Sequence, residues 1–304
     1  MSAARPDTDR AALDLYTEAA GTVASRLIAT YSTSFGLATH LLGRRHRQHV
    51  HNIYAMVRVA DEIVDGVAAQ AGLDACAQRA SLEDYVAQTH RAMHVGYSNN
   101  IVLHAFAVTA RHTGIDESLT QPFFDSMRAD LDAAGDNPGG LHVYTPADHQ
   151  RYVHGSAEVV GLMCLRVFLS EEQPSPAEMA TLEHGARQLG AAFQNVNFLR
   201  DLAEDTDRLQ RSYLAGVRPL DDAGRDLWVA TVRSQLDDAR RSIALLPADC
   251  RAAVRSALAL FSAVTDRVAR TPAQELYRRR VRVADPIKLA LGGREVLRTW
   301  LEGR

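Results

Sequence analysis

Cysteine is scarce in this chain, whose 304 residues include only Cys76, Cys164 and Cys250. Three widely separated cysteines exclude a disulfide framework and a CxxC metal site, and they favour a reducing setting. Long apolar runs are also missing, because the longest, residues 159–169, is interrupted by Arg166 and is too short for a membrane span. The first residues carry charges where a signal peptide needs an apolar segment. We therefore expect a cytoplasmic protein without a membrane span.

The chain has no large excess of charge, since its formal net charge is -3, and this balance gives no sign of a nucleic-acid partner. A GxGxxG motif is missing as well, so no NAD(P) cofactor is expected. The alternating pattern of a half-buried strand is not found, whereas apolar residues recur every three or four positions. These patterns predict one all-α domain over residues 1–304, with residues 1–12 as a flexible tail.

Three helix starts share one sequence pattern. Thr145, Ser175 and Thr271 are each followed by proline and, three positions on, by a side chain that can complete a capping box. We expect a helix to begin after each of them.

Two segments combine a helical apolar pattern with a stripe of polar residues along one face. In residues 52–66 the stripe consists of Tyr54, Arg58, Asp61 and Asp65, with Glu62 beside it. In residues 192–208 it consists of Gln194, Asn197, Asp201, Glu204, Asp205 and Arg208. A single DxxxD pattern is more often a solvated helix face, but two such stripes in apolar helices favour a binding site.

Carboxylates inside an apolar bundle become protonated or destabilise the fold unless a cation neutralises them. Oxygen ligands from Asp, Glu and Asn suit Mg²⁺, which completes its octahedron with water and substrate phosphates. Magnesium between two acidic helices would anchor a diphosphate and withdraw charge from it, so that its bond to an allylic carbon breaks. Arg58 and Arg200 could supply further positive charge to the leaving group.

The chain resembles the phytoene and squalene synthase family in four stretches. These are YSTSFGLATHLL from Tyr31, YAMVRVADEIVDG from Tyr54, YVHGSAEVVGLM from Tyr152 and QNVNFLRDLAEDTDRLQRSYL from Gln194. The resemblance implies an isoprenoid-synthase-type helical bundle around a central apolar cavity. It also implies an enzyme that uses two or three Mg²⁺ ions to ionise an isoprenoid diphosphate.

The resemblance assigns three sets of site residues. The substrate diphosphate would be bound by Ser32, Ser34, Arg58, Gln194, Asn197, Arg200 and Tyr213, although Tyr213 could equally be core packing. The metal ions would be held by Asp61, Glu62, Asp65, Asn197, Asp201, Glu204 and Asp205. Catalytic roles fall to Asp61, Asp65, Asp201, Asp205 and Tyr54, and to His154 and Glu158 if these face the cavity.

The chain also departs from the family pattern. Glu158 stands where many relatives have glycine, and His154 where many have an aromatic residue. Either side chain could orient an acceptor or move a proton, or serve only as a structural partner. Gln210 replaces the usual glycine before the RxY segment, and Ala215 stands where proline is common. These two changes make the loop geometry near the second acidic stripe uncertain.

Three functions remain open at this point. The first is phytoene-synthase-like head-to-head condensation of two prenyl diphosphates. The second is transfer of a short prenyl group, such as dimethylallyl, to an aromatic acceptor such as a carbazole. The third is a non-catalytic helical partner protein, which the intact acidic stripes disfavour. The basic run 278–282 predicts at most peripheral contact with an anionic membrane surface, and the oligomeric state stays open.

Overall fold

The computed structural model describes residues 6–32, 36, 38–136, 141–214, 219–283, 294–295 and 299, except for the side chains of residues 6–10 and 134–136. Helices make up most of this part of the chain, and the predicted all-α class is confirmed. They are α1 Pro6–Tyr31, α2 Arg44–Val64, α3 Val67–Gln70, α4 Ala75–Val95, α5 Ile101–Thr113, α6 Glu117–Asp136, α7 Pro146–Val153, α8 Val159–Phe168, α9 Pro176–Asp207, α10 Asp222–Ser242, α11 Ala248–Ala269 and α12 Ala273–Leu276. A π-helical turn, His154–Glu158, joins α7 to α8, and a 3₁₀ turn, Ile243–Leu245, follows α10.

Two of the three predicted helix starts are confirmed. Thr145 and Ser175 are the N-caps of α7 and α9, and each forms a complete capping box with the residue three positions on. After Thr271 a helix does begin, but the predicted cap is wrong, because α12 has only four residues and its N-cap is Pro272, with no side-chain cap. The Thr271 hydroxyl donates instead to the carbonyl oxygen of Arg267 at 2.9 Å, and it therefore belongs to the end of α11.

The expected tail at residues 1–12 is also corrected. Residues 6–12 belong to α1, which starts with Pro6, a residue suited to a first helical turn. The Tyr16 hydroxyl anchors this helix by donating to the carbonyl oxygen of Ser98 at 3.0 Å. Residues 1–5 lie outside the described part of the chain.

The expectation of no strands is wrong at one place. Strands β1, His142–Val143, and β2, Arg211–Ser212, form a parallel pair. The His142 N–H donates to the carbonyl oxygen of Gln210 at 2.8 Å, and the Tyr144 N–H donates to that of Ser212 at 3.0 Å. Two residues are too few for an alternating pattern to be visible, but the pair ties the segment after α6 to the segment after α9.

Close packing of α8, its preceding π turn and α9 depends on two glycines. A Cβ atom on Gly161 would lie 2.5 Å from the carbonyl oxygen of Ala186, and one on Gly190 would lie 2.5 Å from that of Ala157. Neither position has room for a side chain, so the two backbones approach directly. Among the described residues, no helix is long and apolar enough to cross a membrane.

Candidate active site

A cavity of about 330 Å³ lies between α2, α8, α9 and α11, and most of its lining is apolar. Tyr54, Gln194 and Asn197 contribute polar groups to the lining. Leu182 and Asn197 both line the cavity and are 15 residues apart on α9, so the cavity extends about 22 Å along this helix at 1.5 Å per residue. The predicted central apolar cavity is therefore confirmed, and its length suits an extended hydrocarbon chain.

The two acidic stripes meet next to this cavity. On α9, Asp201 lies one turn beyond the cavity-lining Asn197. Arg208, at the end of α9, donates to the backbone carbonyl of Asp65 at 3.1 Å and to the Glu204 carboxylate at 3.0 Å. The end of α2 and the end of α9 are thus in direct contact, and the structure brings the two stripes together.

Two carboxylates in this region have raised pKa values. Burial raises the pKa of Asp61 to about 6, although Arg58 acts in the opposite direction. Burial and the neighbouring charge of Asp201 raise the pKa of Asp205 to about 8, and Asp65 adds to the rise. Because Asp65 follows α2 and Asp205 lies on α9, the two helices hold charges close enough to repel each other.

Arginines offset part of this negative charge. Arg58 donates to Asp61 at 2.8 Å and to Glu62 at 2.5 Å. Arg200 forms two hydrogen bonds with Asp201, at 2.6 and 3.0 Å. The Arg58 and Arg200 side chains are both partly exposed, at 33% and 23%, so each guanidinium can also reach an anionic ligand.

The carboxylate and amide oxygens at this site suit a hard divalent cation whose remaining ligands come from water and phosphate. The Asn197 Oδ1 atom is buried and has no hydrogen-bond partner in the described structure, which leaves an oxygen acceptor free for a cation. No group of three or more His, Cys, Asp or Glu residues that could hold a metal ion exists among the described residues. Magnesium commonly uses one or two carboxylates and completes its shell with water and phosphate oxygens. The carboxylate pairs on the two helices suit that mode of binding better than a closed protein cage.

A model of the squalene/phytoene synthase family matches residues 28–217. The chain belongs to this family. It is similar to the 15-cis-phytoene synthase of Paracoccus sp., with 28% identity over 292 residues that cover 90% of each chain. It is also similar to the 4,4'-diapophytoene synthase of Staphylococcus haemolyticus, with 26% identity over 215 residues, 70% of this chain and 68% of the relative.

The fold agrees with this assignment. A crystal structure of a dehydrosqualene synthase in complex with ligand superposes with a TM-score of 0.75 and 22% identity, covering 95% of this chain and 98% of the other. The family model and the curated relatives confirm the sequence resemblance to the squalene/phytoene synthase family, and with it the expectation of a prenyl-transferring enzyme.

The structure places only some of the remaining site candidates at the central cavity. Tyr54 and Gln194 line the cavity, and the Ser32 side chain hydrogen-bonds with the Tyr54 phenol. Ser34 lies outside the described residues. Tyr213 is 6% exposed and does not line the cavity, so its position agrees with the core-packing alternative.

Two of the candidate metal ligands have partners that lie within five positions in the sequence. Glu62 accepts hydrogen bonds from Arg58 and, at 3.2 Å, from the N–H of Val67. Glu204 is exposed and pairs with Arg208 one turn later. Asp61, Asp65 and Asp201 also pair with arginines, so these contacts alone do not separate the candidate ligands.

The structure does not bring His154 and Glu158 to the acidic stripes. Their side chains pair with each other, with His154 Nδ1 2.9 Å from Glu158 Oε2. His154 lines a second cavity, of about 550 Å³, and neither residue lines the central one. The central cavity is instead lined by Ser156 and Val160. Each lies two positions after His154 or Glu158, and residues two positions apart lie on different faces of a helix. The catalytic roles considered for His154 and Glu158 stay predictions, and the structure places neither side chain in the lining of the central cavity.

Three functional candidates were not found from the sequence. Arg211 contacts Asp65 at 2.9 Å and Asp130 at 3.2 Å, and Arg280 contacts Asp201 at 2.7 Å. Arg211 lies within one of the four stretches that carry the family resemblance, so the sequence could have indicated it as a site residue. Asp130 had no such signal, and Arg280 was considered only as part of the basic run 278–282.

Gln210 holds the backbone conformation that the usual glycine would adopt. Its φ of 54° is the only positive value among the described non-glycine residues, and such a conformation costs a side-chain-bearing residue on the order of 1 kcal/mol. We expect Gln210→Gly to raise the melting temperature by about 1–3 °C, because relief of strain outweighs the extra chain entropy. Differential scanning calorimetry would measure the change. Gln210→Ala removes the same side chain but keeps the strain, so an equal gain in both variants would contradict this explanation.

Arg280 forms an ion pair with Asp201, so a divalent cation bound by Asp201 would have to compete with this arginine. Its side chain is 45% exposed, so the ion pair is worth only about 1 kcal/mol, or roughly a fivefold effect on binding. We expect Arg280→Gln to tighten Mn²⁺ binding in the absence of substrate by a few fold, as measured by electron paramagnetic resonance of free Mn²⁺. Arg279→Gln is a matched control, since Arg279 pairs with Glu275. A similar change in both variants would indicate a general charge effect.

Proposed function

We propose that this chain is a magnesium-dependent prenyltransferase that joins two isoprenoid diphosphates head to head. The supporting observation is that the acidic ends of α2 and α9 meet beside an apolar cavity about 22 Å long. A diphosphate would bind between the acidic stripes, and its hydrocarbon tail would extend along α9 toward Leu182. The relatives named as phytoene and diapophytoene synthases favour condensation as the outcome.

The residues at the acidic end have distinct tasks in this proposal. Asp61, Asp65, Asp201, Asp205 and Asn197 would hold magnesium. Magnesium bound there supplies positive charge that stabilises the diphosphate as it departs with the electron pair of the broken C–O bond.

Two arginines assist the same bond cleavage. Arg58 and Arg200 would donate hydrogen bonds to the departing diphosphate, because their guanidinium groups already lie among the acidic residues and stay partly exposed. Charge-assisted hydrogen bonds of this kind strengthen as negative charge develops on the leaving group.

The cavity wall protects the allylic cation formed by this step. Phe193 lines the cavity one turn before Asn197, and its ring stacks on Phe261 at 3.7 Å between centroids. Aromatic faces attract cations, and an apolar wall keeps water away from them. The alkene of the second prenyl diphosphate can then attack the cation, a proton is lost, and a cyclopropyl diphosphate results. A second ionisation releases the remaining diphosphate with the electron pair of its C–O bond, and the rearranged cation loses a proton to give the hydrocarbon.

The comparisons do not favour transfer to an aromatic acceptor. That function would need a group in the cavity to orient the acceptor or accept its ring proton, and His154 and Glu158 do not line it. It is retained as a separate outcome of the test below.

The test is analysis of product mass with purified protein. With Mg²⁺ and geranylgeranyl diphosphate alone, we expect a hydrocarbon that contains two prenyl groups, and no product when EDTA replaces Mg²⁺. A parallel reaction contains dimethylallyl diphosphate and carbazole. A prenylated carbazole without any condensation product would overturn the proposal in favour of aromatic prenylation. Release of prenyl alcohol alone would exclude both synthetic functions.

A further inference from the structure

A buried carboxylate on α6 is held by three tyrosines. Asp130 is 1% exposed, and its oxygen atoms accept hydrogen bonds from the hydroxyls of Tyr152 at 2.7 Å, Tyr213 at 3.0 Å and Tyr144 at 3.4 Å. These tyrosines come from α7 and from the segments around β1 and β2. The parallel strand pair brings Tyr144 and Tyr213 to the same carboxylate, so the orientation of Asp130 is fixed from several sides.

Arg211 connects Asp130 to the acidic end of α2. Arg211 is 3% exposed, and its guanidinium donates to the Asp130 backbone carbonyl at 2.9 Å and lies 3.2 Å from the Asp130 carboxylate. The same guanidinium contacts both carboxylate oxygens of Asp65, at 2.9 and 3.0 Å. One cation is thus shared between a fully buried aspartate and a candidate metal ligand.

Stability alone is a poor explanation for this arrangement. A buried ion pair often contributes no more to folding than a well-packed apolar group of similar volume, because both charges lose their hydration. Hydrogen-bonding partners behind metal ligands, by contrast, commonly orient those ligands and affect metal affinity. The network ends on Asp65, where α2 and α9 meet.

We propose that Asp130 is a positioning residue that acts through Arg211 to hold Asp65 between the two acidic helices. Asp130 itself touches neither substrate nor metal. This inference rests on the proposed function, because it assumes that Asp65 helps to hold a metal–diphosphate complex. If the tyrosine hydrogen bonds to Asp130 are lost, Arg211 is less constrained and the Asp65 carboxylate is no longer held in one place.

The experiment measures Mn²⁺ binding in the presence of inorganic diphosphate, with free Mn²⁺ followed by electron paramagnetic resonance. Tyr152→Phe removes the shortest hydrogen bond to Asp130 without changing any charge. We expect this variant to bind Mn²⁺ several fold more weakly, and Asp130→Asn to bind it about tenfold more weakly, in the range typical for residues behind metal ligands. The KM for the prenyl diphosphate should rise in parallel with the Mn²⁺ Kd.

Tyr85→Phe is the matched control. Tyr85 is 4% exposed and its hydroxyl donates to the carbonyl oxygen of Met56 at 3.1 Å, so this variant also loses one buried hydrogen bond but leaves the Asp130 network intact. We expect a similar fall in melting temperature and an unchanged Mn²⁺ Kd.

The remaining outcomes are also decisive. Equal Mn²⁺ affinity in Tyr152→Phe and wild type would overturn the positioning role and leave the proposed function standing. Failure of wild-type protein to bind Mn²⁺ with diphosphate would overturn both. The tyrosine variants keep the test usable if Asp130→Asn does not fold.

Discussion

Asp61→Ala is expected to lower kcat by a factor on the order of 10³ or more without unfolding the protein. Metal-assisted charge stabilisation supplies several kcal/mol, and each 1.4 kcal/mol corresponds to a tenfold change in rate. Folding should be retained because partial burial and the neighbouring charges of Asp65 and Glu62 raise the pKa of Asp61 to about 6, so its removal relieves an unfavourable charge. Arg58 keeps Glu62 as a partner in the variant. The measurement is release of diphosphate under single-turnover conditions, alongside circular dichroism.

Asp266→Ala provides the control for this prediction. Asp266 is also an ion-paired aspartate, but it pairs with Arg233 at the surface, at 2.8 Å with both side chains about half exposed. Its removal should leave turnover within twofold, since exposed pairs contribute about 0–1 kcal/mol. Loss of folding in metal-free Asp61→Ala would count against the assignment of Asp61 to a crowded acidic site. Full activity would remove Asp61 from the site altogether.

The features that were predictable from the sequence are those confined to one helix. A carboxylate and an arginine three or four positions apart share a helix face whatever the rest of the fold does. The Arg58–Asp61 pair and the spacing of Asn197 and Asp201 follow from that rule. The capping boxes at Thr145 and Ser175 follow as well, because each involves only neighbouring residues.

The features that were not predictable join distant parts of the chain. Asp130 and Arg211 are 81 positions apart, and Arg280 and Asp201 are 79 apart. No sequence periodicity relates such distant residues, so only the folded structure shows that Arg211 forms an ion pair with Asp65. The sequence also could not show whether His154 faces the cavity. Helical spacing shows which residues share a face, but it does not show which face points toward the cavity.

The aspartates at the two acidic ends differ in how their charge is balanced. Asp65 and Asp201 each face arginines from other segments, Arg211 and Arg280. Asp205 has no ion pair among the described residues, and burial together with the charge of Asp201 raises its pKa to about 8. A divalent cation would relieve the repulsion most at Asp205, which makes this residue the best reporter of metal binding.

The second prediction concerns the pH dependence of stability in metal-free protein. The pKa of Asp205 is about 8 in the folded protein and about 3.9 in an unfolded chain. Between these values the folded state binds more protons than the unfolded state, so this residue makes stability fall as pH rises from about 4 to 8. Asp61 adds a smaller effect of the same sign, up to pH about 6.

Buried histidines act in the opposite direction at the lower end of this range. Burial lowers the pKa values of His49 and His51 to about 4, and neutral buried histidines make stability rise with pH up to about 6.5. Between pH 6.5 and 8 these histidines no longer contribute, and Asp130, whose pKa burial raises to about 7, is present in both proteins, so the difference between wild type and an Asp205 variant isolates Asp205. There we expect Asp205→Asn to become progressively more stable than wild type, by on the order of a few kcal/mol at pH 8 and several °C in melting temperature.

Melting temperatures in EDTA across this pH range, compared with Asp207→Asn, would measure the effect. Asp207 is exposed at the end of the same helix, so its substitution should give a curve parallel to that of wild type. Adding Mg²⁺ with inorganic diphosphate should stabilise wild type more at pH 8 than at pH 6.5, because protons compete with the metal for Asp205. The same addition should stabilise Asp205→Asn far less. Parallel curves for wild type and Asp205→Asn would show that Asp205 is not crowded by the neighbouring carboxylates, and the electrostatic basis for a metal site between α2 and α9 would then be lost.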